Sequence, residues 1–87
     1  MKLAIIGTGY VGLITGACFA EFGYQTVCID KDQNRVNDLN NSKCPFYEPG
    51  IEVLLDKHLN KTKRLSFSNS LSASIHDADI IFISIST

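Results

Sequence analysis

Apolar positions fall along this chain in short uniform runs and in helical stripes, and the alternation between the two predicts the fold. The run Lys2-Leu3-Ala4-Ile5-Ile6 reads as a strand over residues 2–6. From 10 to 22 the apolar residues Val11, Leu13, Ile14, Ala17, Cys18, Ala20 and Phe22 recur at helical spacing, with small Gly12 and Gly16 suited to close packing on a sheet. Gly23 closes that helix as a C-terminal cap. A second strand is predicted over 25–29, and a polar helix over 32–40 ends at Asn40-Asn41-Ser42. After the loop Cys44 to Gly50, Pro49 suits a first helical turn, and Ile51, Leu54, Leu55, His58 and Leu59 make one helical face. Residues 64–68 read as a short strand, and 70–75 as a helical turn capped by Ser70 or Ser72. The β-branched run from Asp79 to Ile85 carries the pattern of a strand buried on both faces of a parallel sheet. The fold class is therefore α/β, a Rossmann-like parallel sheet with flanking helices. Right-handed crossovers place its four strands in the order 3-2-1-4.

The loop between the first strand and the first helix carries the chemistry. Gly7-Thr8-Gly9-Tyr10-Val11-Gly12 fits G-x-G-x-x-G, and Asp30 stands at the end of the second strand. Gly7 permits the turn, Gly9 leaves room for a pyrophosphate, and Gly12 lets the helix lie close on the sheet. The helix start offers N–H groups and positive dipole charge to phosphates. Asp30 can accept from both ribose hydroxyls of an adenosine, and its charge favours NAD over a 2′-phosphorylated cofactor, although Lys31 beside it acts the other way. As an ordinary strand-end acid, Asp30 would cap the next helix instead. The sheet order brings Gly7–Gly12 and the end of the fourth strand, Thr87 included, to one switch point.

Eighty-seven residues suffice for one small domain, residues 1–87, and are few for a complete oxidoreductase. A net charge of −1 gives no footing for nucleic acid. No apolar run approaches the roughly 20 residues that span a bilayer, and the first residues do not make a signal peptide, so a cytoplasmic protein is expected. Cys18, Cys28 and Cys44 have no metal or redox spacing. Cys18 and Cys28 are expected to be buried and Cys44 exposed. His58 and His76 have no partner pattern, and Glu48 reads as a loop acid at a helix start.

The combination of Ile6 to Gly12, Gly16-Ala-Cys-Phe-Ala20, Asp30, the loop Pro45 to Gly50 and Phe82 to Thr87 resembles the N-terminal part of the UDP-glucose/GDP-mannose dehydrogenase family, along the whole chain. That family oxidises the 6-hydroxyl of a nucleotide sugar to a carboxylate in two NAD-linked steps. The resemblance implies NAD as cofactor, with the pyrophosphate held around Gly9, Tyr10, Val11 and Gly12 and the ribose by Asp30. It also sets Arg35 beside the adenosine and Ile85, Ser86 and Thr87 along the cofactor. Ser86 departs from the glycine or asparagine usual in the family. No cysteine here matches the family's catalytic cysteine, so a truncated chain is implied, inactive alone, with UDP-glucose a partner of the full-length enzyme only. Its apolar fourth strand, left as an edge, predicts a homo-oligomer. Two other readings share the opening unit: another two-domain dehydrogenase, and a non-catalytic nucleotide-sensing module like those attached to potassium transporters.

Overall fold

A parallel four-stranded sheet organises the molecule. The computed structural model describes residues 1–85; Ser86 and Thr87, two of the expected cofactor contacts, lie outside the described residues. Strands β1 (Lys2–Ile6), β2 (Gln25–Ile29), β3 (Leu65–Ser68) and β4 (Ile80–Ile83) stand in the order β3-β2-β1-β4. Leu3 pairs with Thr26 on one side and Ile80 on the other, and Ile6 with Ile29 and Ile83. The strands therefore end in register along one rim of the sheet.

Period-2 alternation sends Ile5, Cys28, Leu65 and Phe67 to one face. There they meet Leu13, Ala17 and Ala20 of α1 (Tyr10–Glu21), Val36 and Leu39 of α2 (Gln33–Asn40), and Ile51 and Leu55 of α3 (Ile51–Asp56). Gly16 sets the depth of α1, since a Cβ there would lie 2.5 Å from the sulfur of Cys28. Burial pushes the Cys28 thiol up to about 12, so this cysteine is packing and not a nucleophile. The opposite face is thinner, with Ala4, Val27 and Ile29 covered by Ile75 and Ala78 around α4 (Leu71–Ile75).

Four expectations are corrected. The β4 residues are exposed rather than buried on both faces, Ile83 by 74%. An apolar run states a demand for cover, and here β4 is paired to β1 along one edge, with Phe82 stacked on Phe19 of α1. Cys18 is exposed and Cys44 half-buried, the reverse of expectation. Cys18 falls off the stripe of Leu13, Gly16, Ala17 and Ala20 that α1 buries. Pro49 stays outside α3, which starts after Gly50 in the left-handed region (φ +84°). The helical face through His58 is also not continuous. After Asp56 the chain winds into a π-helical turn, Lys57–Lys61, closed by Thr62 N–H donating to the Lys57 carbonyl. His58 is fully buried inside that turn, its Nδ1 2.8 Å from Thr62 Oγ1, a packing role.

Candidate nucleotide-binding site

The rim where the strands end opens into a cleft of about 370 Å³. Among the expected residues it is lined by Gly7, Thr8, Gly9, Asp30, Arg35 and Ile85. Tyr10, Val11 and Gly12 do not line it: Gly12 is buried under the loop, while Tyr10 and Val11 point outward.

The three glycines of the loop differ in what they supply. Gly7 has φ +105° and donates its N–H to the Ile29 carbonyl at 2.7 Å. A Cβ on Gly7 would sit 2.2 Å from the Ser84 carbonyl oxygen, so both conformation and space exclude one. A Cβ on Gly12 would sit 2.1 Å from the Gly7 carbonyl oxygen, which fixes how closely α1 approaches β1. Gly9 is different. Its φ of −68° and ψ of −172° suit any residue, so its backbone makes no demand for glycine, and it lines the cleft directly. Gly9 is also the N-cap of α1, so the N-cap brings no side chain to cap that helix, and no acid stands in its first turn. Such a helix start presents N–H groups and positive dipole charge to an anion.

Asp30 faces this loop. Its Oδ2 accepts from Thr8 N–H at 3.2 Å and Thr8 Oγ1 at 2.6 Å, and its Oδ1 from Asp32 N–H at 2.9 Å. Partial desolvation pushes the Asp30 pKa up, but the Thr8 and Asp32 donors and the charge of Arg35 outweigh it, leaving the carboxyl below its ordinary value. Arg35 reaches from α2 to donate from its guanidinium to the Thr8 carbonyl at 3.0 Å. Helix α2 is capped by Asp32, whose Oδ1 accepts from Asn34 and Arg35 N–H at 3.0 and 3.3 Å. The alternative role for Asp30, as the cap, is thereby filled by another residue.

Five cleft residues were not among the expected contacts: Ile6 and Ile29 at the strand ends, and Asn69, Leu71 and Ser84. The signal was present in the predicted strand order, which sets whatever follows β3 and β4 on the rim shared with Gly7. Lys31 is solvent-exposed as expected, yet borders the cleft. Glu48 does not sit at a helix start. It accepts from the Tyr10 hydroxyl at 3.0 Å, while the Tyr10 ring lies 5.0 Å from that of Phe46. That bond and the Glu48 charge raise the Tyr10 pKa. Among the described residues no group of three or more histidines, cysteines and acids is placed to hold a metal. No described helix is long and apolar enough to cross a membrane.

Residues 1–87 match the UDP-glucose/GDP-mannose dehydrogenase family, NAD binding domain. The chain belongs to that family. It is 45% identical over 86 residues to the UDP-glucose 6-dehydrogenase TuaD of Bacillus subtilis, covering 99% of this chain and 18% of the relative. It is 46% identical over 87 residues to a UDP-glucose 6-dehydrogenase of Pseudomonas aeruginosa, covering 100% and 19%. A solved GDP-mannose dehydrogenase from Pseudomonas aeruginosa, in a ternary complex, superposes with a TM-score of 0.94 at 32% identity, covering 100% of this chain and 20% of that one. The chain thus spans about a fifth of the length of the relatives it matches.

Within the family, this domain is the NAD-binding one, with a Rossmann-like sheet. The residues present fit that cofactor. A helix start whose N-cap is glycine and a carboxylate held ionised stand together at the mouth of a largely apolar cleft that Gly9 lines.

Proposed function

We propose that the cleft takes the adenosine side of NAD, with Asp30 accepting from the ribose and the α1 start, from Gly9 to Gly12, meeting the pyrophosphate. The observation that carries this reading is Asp30, ionised and fixed against the glycine loop at the cleft. Gly7, Thr8 and Gly12 shape the loop, while Tyr10 and Val11 contribute through their backbone. Arg35 and Ile85 flank the cofactor from α2 and from the end of β4, and the expected contacts of Ser86 and Thr87 continue that line. Asp30→Ala removes a charge-assisted acceptor of roughly 1.5–3 kcal/mol. In calorimetric titration the affinity for NAD should fall about tenfold or more; an unchanged affinity would defeat the assignment.

We further propose that the 87 residues serve as the cofactor domain of a UDP-glucose 6-dehydrogenase, which oxidises UDP-glucose to UDP-glucuronate with two NAD, in the cytoplasm, for polysaccharide biosynthesis. The names of the relatives support this substrate. In such a reaction the domain binds and orients the dinucleotide. The covalent chemistry belongs to a cysteine for which neither buried Cys28, exposed Cys18 nor Cys44 is a match. The purified 87-residue chain is therefore expected to form no NADH from UDP-glucose, and NADH formation would overturn that division of labour. The exposed apolar edge of β4 supports self-association, and sedimentation of a clean monomer at high concentration would reject it.

A further inference from the structure

Thr8 is the x of G-x-G, a position that the motif leaves free, yet here it is the most tightly held residue of the loop. It is 0% exposed. Its hydroxyl and its N–H both donate to Asp30 Oδ2, at 2.6 and 3.2 Å, and its carbonyl receives the Arg35 guanidinium at 3.0 Å. Both side chains assigned to the adenosine, one just after β2 and one on α2, are thus tied to the glycine loop through one residue. The carboxylate's acceptor directions are unequally used. A carboxylate has about four lone-pair sites, two on each oxygen. Among the described residues, Thr8 supplies two donors to Oδ2, whereas Oδ1 receives only Asp32 N–H, at 2.9 Å. Among those residues the less used oxygen is Oδ1.

We propose that Thr8 is a positioning residue for the dinucleotide: its hydroxyl fixes the plane of the Asp30 carboxylate so that Oδ1 remains the acceptor for the adenosine ribose. This rests on the assignment of Asp30 to that ribose. Without the hydroxyl, Oδ2 would be held only by the long Thr8 N–H bond of 3.2 Å, opposite Asp32 N–H on Oδ1; the hydroxyl adds the shortest of the three bonds, at 2.6 Å, and so tightens the carboxylate's orientation. The hydroxyl bond also favours the ionised form, the form that accepts from a ribose. The other charged groups around Asp30 are Arg35 on α2 and its chain neighbours Lys31 and Asp32.

The test is titration of NAD into the purified chain carrying Thr8→Val, which keeps the shape and deletes the hydroxyl, and Thr8→Ser, which restores it. The Asp30 carboxyl is followed without ligand by carbon NMR. At about pH 7.5, Thr8→Val should bind NAD about fivefold more weakly, since one charge-assisted bond is lost. The depressed Asp30 pKa keeps the wild-type carboxylate ionised near pH 4.5. Loss of the hydroxyl moves its protonation to higher pH, so the deficit should be larger there than at about pH 7.5. Thr8→Ser should stay within about twofold of wild type at both pH values. An unchanged or tighter affinity in Thr8→Val, or a deficit that does not grow on acidification, overturns the proposal. So does a Thr8→Ser that binds as weakly as Thr8→Val. If Asp30→Ala weakens NAD and Thr8→Val does not, only the positioning role fails. If Asp30→Ala binds like wild type, the ribose assignment fails and takes this proposal with it. Should Thr8→Val not fold, Thr8→Ala replaces it and is read against Thr8→Ser by the same titrations, with the same outcomes deciding.

Discussion

Helices α1 and α2 both begin at the rim of the cleft, and they begin in opposite ways. The α2 start is closed by its own chain, since Asp32 accepts from Asn34 and Arg35 N–H. The α1 start has Gly9 where a capping side chain would stand, and its first turn has no acid. A capping side chain is typically worth about 1 kcal/mol to a helix, and an acid in the first turn about 0.3–1 kcal/mol more. Helix α1 forgoes both. It is the more deeply packed of the two, with Leu13, Ala17 and Ala20 in the core, so tertiary burial supplies the stability that local capping does not. Where a helix is held by its packed face, its N-terminus is free to serve an external anion. Where it is short and polar, as α2 is, the terminus is used for its own stability.

The largest effect expected from breaking this arrangement is at Gly12, which seats α1 beneath the loop. A Cβ there meets the Gly7 carbonyl at 2.1 Å, backbone that has no rotamer by which to yield. Gly12→Ala should cost about 3 kcal/mol of folding stability, as overpacking does when the neighbour cannot move. Urea unfolding measures this. A midpoint equal to wild type would mean that α1 is not seated by this contact.

Gly9→Val separates binding from folding. The backbone at Gly9 lies in a region open to any residue, so stability should stay within about 0.5 kcal/mol of wild type, as for a surface substitution. Affinity for NAD should fall more than about tenfold, or 1.4 kcal/mol, because the side chain fills the space in front of the helix start. Normal NAD binding by Gly9→Val would reduce the loop to a turn and remove the distinction between the two helix starts.

Much of this was legible in the residues themselves. Strand order follows from four apolar runs and the handedness of crossovers, and the G-x-G-x-x-G loop with Asp30 names the rim on which the cleft lies. What escaped has a common physical form: it depends on which groups meet across the fold. Thr8 and Arg35 are 27 residues apart, and no local pattern foretells a guanidinium on a loop carbonyl. Glu48 looked like a helix-start acid because Pro49 follows it, but Gly50 delays the helix and frees Glu48 to reach Tyr10. Cys18 lies within an almost wholly apolar helix, where composition gives no phase, and only the packing against Cys28 and Ile5 shows which side is buried. The run in β4 announced an apolar strand correctly but could not say how much of it other elements cover.

The smallest effect, and the sharpest test of the contrast, is expected at Asp32. Asp32→Ala removes the carboxylate that caps α2 but keeps the backbone N–H that donates to Asp30 Oδ1. The polar groups that would form the cofactor site therefore remain, while the first turn of α2 loses its acceptor. The loss should be about 1 kcal/mol in urea unfolding, the usual worth of an N-cap aspartate. NAD affinity should remain within about twofold of wild type, since Arg35 stays anchored through its guanidinium to the Thr8 carbonyl. If Asp32→Ala instead weakened NAD tenfold with little change in stability, the α2 start would itself be part of the site. The carboxylate of Asp32 would then be acting on the ligand and not on its own helix.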